Sequence, residues 1–74
     1  MYPSDEIINA LIRGGFEKAK KSKKGHLTLR RPTPEGGTDV TVVPMAKREI
    51  PRGTFASILR LANVEYEQFL KWLR

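Results

Sequence analysis

The chain carries one histidine, His26, set among bases: Lys18, Lys20, Lys21, Lys23, Lys24, Arg30 and Arg31 fall within residues 18–31 with no acid between them. A neutral imidazole is a competent general base near neutral pH. Flanking ammonium and guanidinium groups bind phosphate and stabilise charge that develops on it. RNA supplies its own nucleophile, the ribose 2′-hydroxyl. One base and a set of cationic clamps therefore suffice for strand cleavage without a Ser or Cys nucleophile. A two-histidine acid–base pair is excluded by counting, so a leaving-group acid must be water, a lysine or a group from a second chain. Against this stands the plainer reading that a lone surface histidine on a basic strand does no chemistry. The sequence shows no orienting partner beyond Asp39, which a sheet would have to bring across.

The overall balance points the same way. The 74 residues hold 14 Lys and Arg against 8 Asp and Glu, a formal charge of +6. A second basic group, Lys47, Arg48 and Arg52, flanks a later turn. Clustered cations of this kind mark a polyanion binder, although lysine runs also serve simply to keep a strand edge soluble. There is no cysteine, which removes disulfides, thiolate nucleophiles and Cys-based zinc sites. A single histidine leaves no His-rich metal site. No apolar run approaches the ~18–20 residues of a membrane span. Residues Met1 to Glu6 lack the basic and apolar regions of a secretory signal, so a cytoplasmic location is expected. The length predicts one small domain over residues 1–74. A chain this short buries only about 60–65% of its unfolded surface, so a partner or a second copy can add to its stability.

Several elements must position His26. Ser4 reads as an N-cap, with Asp5 and Glu6 in the first turn of a helix over about residues 5–13. Ile7, Ile8, Leu11 and Ile12 form its apolar face, and Gly14-Gly15 ends it. A weak strand over about 16–21 begins at Phe16, and Ser22-Lys23-Lys24-Gly25 reads as a turn. His26–Arg31 alternates: Leu27 and Leu29 point one way, while His26, Thr28 and Arg30 point the other. Pro32–Gly37 is a loop, and Thr38–Val43 a β-branched strand closed by Pro44. From Thr54, the spacing of Phe55, Ile58, Leu59 and Ala62 predicts an amphipathic helix with Asn63 as its left-handed cap. A last helical segment has Tyr66, Phe69, Leu70 and Leu73 on one side. Tyr2 lies near the chain end with no evident partner. The order α-β-β-β-α-α predicts an α+β fold, with helices on one face of an antiparallel sheet and the other face open to solvent.

Three pieces of the sequence together resemble the HicA family of toxins, from HicA–HicB toxin–antitoxin pairs. They are Gly15-Phe16; Gly25-His26 followed by Leu29-Arg30; and Val43-Pro44 with Glu49-Ile50-Pro51-Arg52-Gly53-Thr54-Phe55, Ser57-Ile58-Leu59-Arg60 and Ala62-Asn63-Val64. The resemblance runs over about residues 7–70. It implies a small ribonuclease that cleaves mRNA on a fold like that of a double-stranded-RNA-binding domain. It also implies a catalytic histidine at the start of the second strand, here His26, and a HicB-type antitoxin that masks the site. No metal or cofactor is implied. Around His26, the residues expected to hold phosphate are Lys21, Lys23, Lys24, Gly25, Thr28 and Arg30, with Lys47 and Arg48 farther off. The chain departs from the family at Lys24-Gly25-His26, where Gly-Ser-His is common, and at Ala46, where a second histidine often follows Val-Pro. The span from Phe16 to His26 is one residue longer, and Asn63 stands for a usual glycine. A non-catalytic RNA-binding module of the same fold is the alternative.

Overall fold

The computed structural model describes residues 2–73. Three helices and three strands follow one another as α1 (Ser4–Arg13), β1 (Glu17–Lys18), β2 (His26–Pro32), β3 (Thr38–Pro44), α2 (Arg52–Ala62) and α3 (Tyr66–Trp72). The sheet is antiparallel throughout, in the order β1-β2-β3. The α+β architecture follows the sequence pattern, and the three segments read as strands become neighbours in one sheet. No helix is long and apolar enough to cross a membrane among the described residues.

Strand alternation divides the sheet into two faces. Leu29, Thr41 and Val43 are buried under the helices together with Ile7, Ala10 and Leu11 of α1, Ile58 and Ala62 of α2, Phe69 of α3, and Phe16 and Ile50 of the connecting segments. The β2–β3 register sets Leu29 opposite Thr41 and Leu27 opposite Val43. Thr41 meets its polar requirement inside the core by donating to the Ile58 carbonyl at 2.7 Å. The other face carries His26, Thr28 and Arg30 of β2 beside Val40 and Val42 of β3, with no helix over it.

Local expectations shift where tertiary partners intervene. Ser4 does not cap α1; Pro3 occupies the cap position and Ser4 is the first helical residue. The Ser4 hydroxyl instead donates to the Pro44 carbonyl at 2.6 Å and accepts the Lys47 amide at 3.0 Å. Ser4 is fully buried, so a long-range partner has taken the hydroxyl from its local one. β1 shrinks from six residues to two, because its alternation is weak and lysines follow. The ladder continues for one more bond, Ala19 N–H to the Thr28 carbonyl at 2.9 Å. α2 starts two residues earlier than its apolar spacing predicts, at Arg52 behind Pro51, whose fixed φ of −57° suits the entry. It ends at Asn63 with φ +58°, the left-handed cap read from the sequence.

Tyr2 gains partners that its place near the chain end did not reveal. Tyr2 packs among Phe55 and Phe69, with ring centroids 5.3 Å from each, and its hydroxyl lies 3.0 Å from that of Tyr66. That hydrogen bond, with lesser help from burial, raises the Tyr2 pKa above the ordinary phenol value. Leu70 and Ile12, assigned to apolar faces by spacing, are both exposed instead. Trp72 closes the fold by lying over Gly14, where any β-carbon would collide with its ring.

Candidate functional site

His26 opens β2 directly opposite Pro44. It is solvent-exposed, and its backbone N–H is bound to the Lys23 carbonyl at 2.9 Å. That bond closes the Lys23–Gly25 turn, in which Gly25 takes φ +79°, a left-handed conformation that glycine adopts without steric cost. The Gly25 carbonyl accepts the Met45 amide at 2.9 Å, so the turn is stitched to the end of β3. The histidine therefore sits on a fixed corner of the sheet, with its ring exposed to solvent.

Lys23, His26, Thr28 and Val42 line one shallow hollow of about 340 Å³ on the open face. Thr28 is held by Ser22, whose hydroxyl accepts the Thr28 N–H at 3.0 Å and fills a backbone position that β1 does not reach. Beside it, Lys18, Lys20, Lys21 and Arg30 line a second hollow of about 570 Å³ together with Glu17 and Ala19. Both volumes fall within the ~300–1,000 Å³ typical of small-ligand sites. The arrangement places an imidazole in one hollow and a set of cations in the next.

The expected residues divide into four groups. Lys23, Thr28 and His26 share a hollow, and Lys21 and Arg30 share its neighbour. Lys24 and Gly25 belong to the turn that sets His26, and the Lys24 carbonyl is 3.5 Å from His26 Nδ1. Lys47 and Arg48 follow Pro44, on the loop that leaves the sheet beside His26. The Lys47 backbone is bound on both sides to Ser4 of α1, which ties that loop to the helix side.

One expectation is overturned. Asp39 cannot orient His26. It faces the helices, opposite Arg31, and accepts a bond from the Arg31 guanidinium at 3.1 Å. Strand parity puts odd residues of β2 and β3 on the core side and His26 on the other. By the same rule Arg31 leaves the basic cluster to which its position in the chain assigned it. Its guanidinium lies 4.5 Å from the Phe16 ring centroid and donates to the Gly14 carbonyl at 3.2 Å.

Sequence reasoning missed Val42, Ser22, Lys18 and Lys20 as neighbours of the site. Lys18 and Lys20 were visible as charge, but only the β1–β2 pairing of Glu17 with Arg30 sets them beside it. Ser22 read only as part of a turn, because its bond to Thr28 depends on β1 ending early.

With this geometry in view, comparison with known proteins adds one finding. A family model described as the HicA toxin of bacterial toxin–antitoxin systems matches residues 4–64. No curated protein matches the chain. The matched span holds α1, all three strands and α2, and stops short of α3.

Proposed function

Because the chain belongs to the HicA toxin family, we propose that it is the endoribonuclease of a toxin–antitoxin pair, cleaving mRNA at the His26 hollow without a metal. The 2′-hydroxyl next to the scissile phosphate gives its proton to the His26 imidazole, and the 2′-oxygen attacks phosphorus. The bond from phosphorus to the 5′-oxygen breaks. The departing oxygen takes a proton from solvent, which has open access to the hollow. The products are a 2′,3′-cyclic phosphate and a free 5′-hydroxyl. Lys23 in the same hollow, with Lys24, supports the charge that grows on the phosphate oxygens. Thr28 and the Gly25 turn shape the approach. Lys21 and Arg30 hold the neighbouring phosphate, and Lys47 and Arg48 extend the field. In this reading the chain works as one domain, supported by the burial of Phe69 of α3 in the common core.

The single observation that carries this reading is the shared hollow of Lys23, His26 and Thr28 on a sheet face that no helix covers. The same openness lets a HicB-type antitoxin mask the site. A partner that covers this basic face is expected to present acidic groups to it. Both partners would meet in the cytoplasm, where mRNA is available.

A second reading, an RNA-binding module without chemistry, draws on a different observation. Among the described residues the His26 ring has one hydrogen-bond contact, the Lys24 carbonyl, and no carboxylate pairs with it. The two readings part in one experiment. Parent and His26→Ala are incubated with labelled mRNA in EDTA, with binding recorded alongside. Cleavage by the parent alone, with both proteins binding, establishes the enzyme. Binding by both with cleavage by neither establishes the module.

A further inference from the structure

The two edges of the sheet are built differently. β1 ends the sheet with two residues, and Lys18, Lys20 and Lys21 crowd its rim. Short length and lysines are how natural sheets discourage a further strand from adding. β3 ends the other side with seven residues, Thr38–Pro44, and none of them is basic. Val40 and Val42 are 45% and 36% exposed on it.

The register shows which backbone groups this edge presents. Met45 N–H bonds the Gly25 carbonyl at one end of the hairpin, and Thr33 N–H bonds the Gly37 carbonyl at the other. Hydrogen-bonded pairs alternate along an antiparallel ladder, so the odd residues of β3 bond to β2. The N–H and C=O groups of Thr38, Val40 and Val42 therefore point outward. Among the described residues nothing outside the ladder bonds to them.

We propose that the outer edge of β3 pairs antiparallel with β3 of a second copy of this chain, about a two-fold axis at Val40. The outward groups are self-complementary in that register: Val40 meets Val40, and Val42 meets Thr38, at each place exchanging two hydrogen bonds. Charge favours the same direction. Glu35 precedes β3 and Lys47 and Arg48 follow it, so antiparallel pairing brings the acidic approach of one copy toward the basic exit of the other. Parallel pairing would set like charges together. The result is a six-stranded sheet with all helices on one side. Both His26 residues then lie on the open face, on the order of 30 Å apart, from three strand spacings across and eight residues along. One RNA strand would meet two sites on one surface.

The test is sedimentation of the purified chain over a concentration series. An interface this small is expected to give a Kd of roughly 10–100 µM. Val40→Pro removes an outward N–H and leaves the β2 ladder whole, so it is expected to weaken dimerisation at least ~10-fold with little change in the far-ultraviolet spectrum. Should that variant unfold, Val40→Lys sets like charges together at the axis and is expected to do the same. A parent that stays monomeric up to about 1 mM overturns the proposal, as does equal dimerisation by a folded variant. A monomeric parent whose antitoxin binding is lost in Val40→Pro also overturns it, and assigns the edge to a strand of the antitoxin.

Discussion

The Arg31 guanidinium donates to the Asp39 carboxylate at 3.1 Å across the β2–β3 pair, on the face of the sheet opposite His26. Both side chains are partly shielded, at 26% and 14% exposure. Arg31 also lies over the rings of Phe16 and Trp72, at 4.5 and 5.8 Å from their centroids. A cation at the end of the most basic stretch is thus a structural clamp that joins strand, helix end and α3.

Replacing Arg31 with alanine leaves Asp39 without its ion pair and removes the cation from both rings. The expected cost is about 2–3 kcal/mol, below that of a fully buried pair because solvent still reaches both groups. Urea unfolding measures it. The same variant should keep its RNA affinity at a temperature where it stays folded, because Arg31 lies on the face of the sheet opposite the two hollows.

RNA binding should depend on salt through the residues of the two hollows. Each phosphate contact removed from a single strand lowers the slope of log K against log salt by about 0.7. Lys23→Ala and Arg30→Ala are each expected to lose about that amount. Arg60→Ala, on α2 behind the sheet, is expected to leave the slope unchanged. Filter binding over a salt series decides; an equal loss in all three would mean that the helix side also contacts RNA.

Gly14→Ala should loosen α3 without touching His26. A β-carbon at Gly14 collides with the Trp72 ring, so the ring must move. The expected destabilisation is about 1–3 kcal/mol. The single tryptophan makes the change visible as a red-shifted emission, before global unfolding is complete.

The Tyr2–Tyr66 hydrogen bond predicts a weakness at high pH. Its effect raises the Tyr2 pKa in the folded chain above the unfolded value. The stability it adds is fully present below the unfolded pKa of about 10 and is lost as pH rises through the folded value. Melting temperature should therefore fall more steeply with alkali in the parent than in Tyr2→Phe. Thermal melts between about pH 9 and 11.5 test this, and parallel curves for the two proteins would reject it.

Much of the site was legible in the residues. Alternation in His26–Arg31 placed His26, Thr28 and Arg30 on one side, and the structure keeps them there. The turn before His26 followed from Ser22-Lys23-Lys24-Gly25, and the cap of α2 from Asn63. These are local properties, governed by backbone sterics and side-chain period, and they survive whatever packs around them. The helix core was partly readable for the same reason: Ile7, Leu11, Ile58 and Phe69 are buried where their spacing put them. Ile12 and Leu70 were not, because an apolar stripe is wider than the surface its partner can cover.

The parts left undecided all required knowing which chain segments meet. β3 reads as apolar and β-branched on both parities, since Val40 and Val42 match Thr41 and Val43 in character. Only its register with β2 shows that the first pair faces solvent and the second the core. That register moved Asp39 away from His26 and gave it to Arg31. In the same way, the Ser4 hydroxyl had a local partner in prospect and took a distant one at Pro44, because burial against the end of β3 favours a bond that no water can replace. The sequence by itself determined the elements, the basic charge and the open face. Which cations stand beside the histidine, and which edge is left unpaired, depended on a hairpin register that sums contacts across the whole sheet and is encoded at no single position.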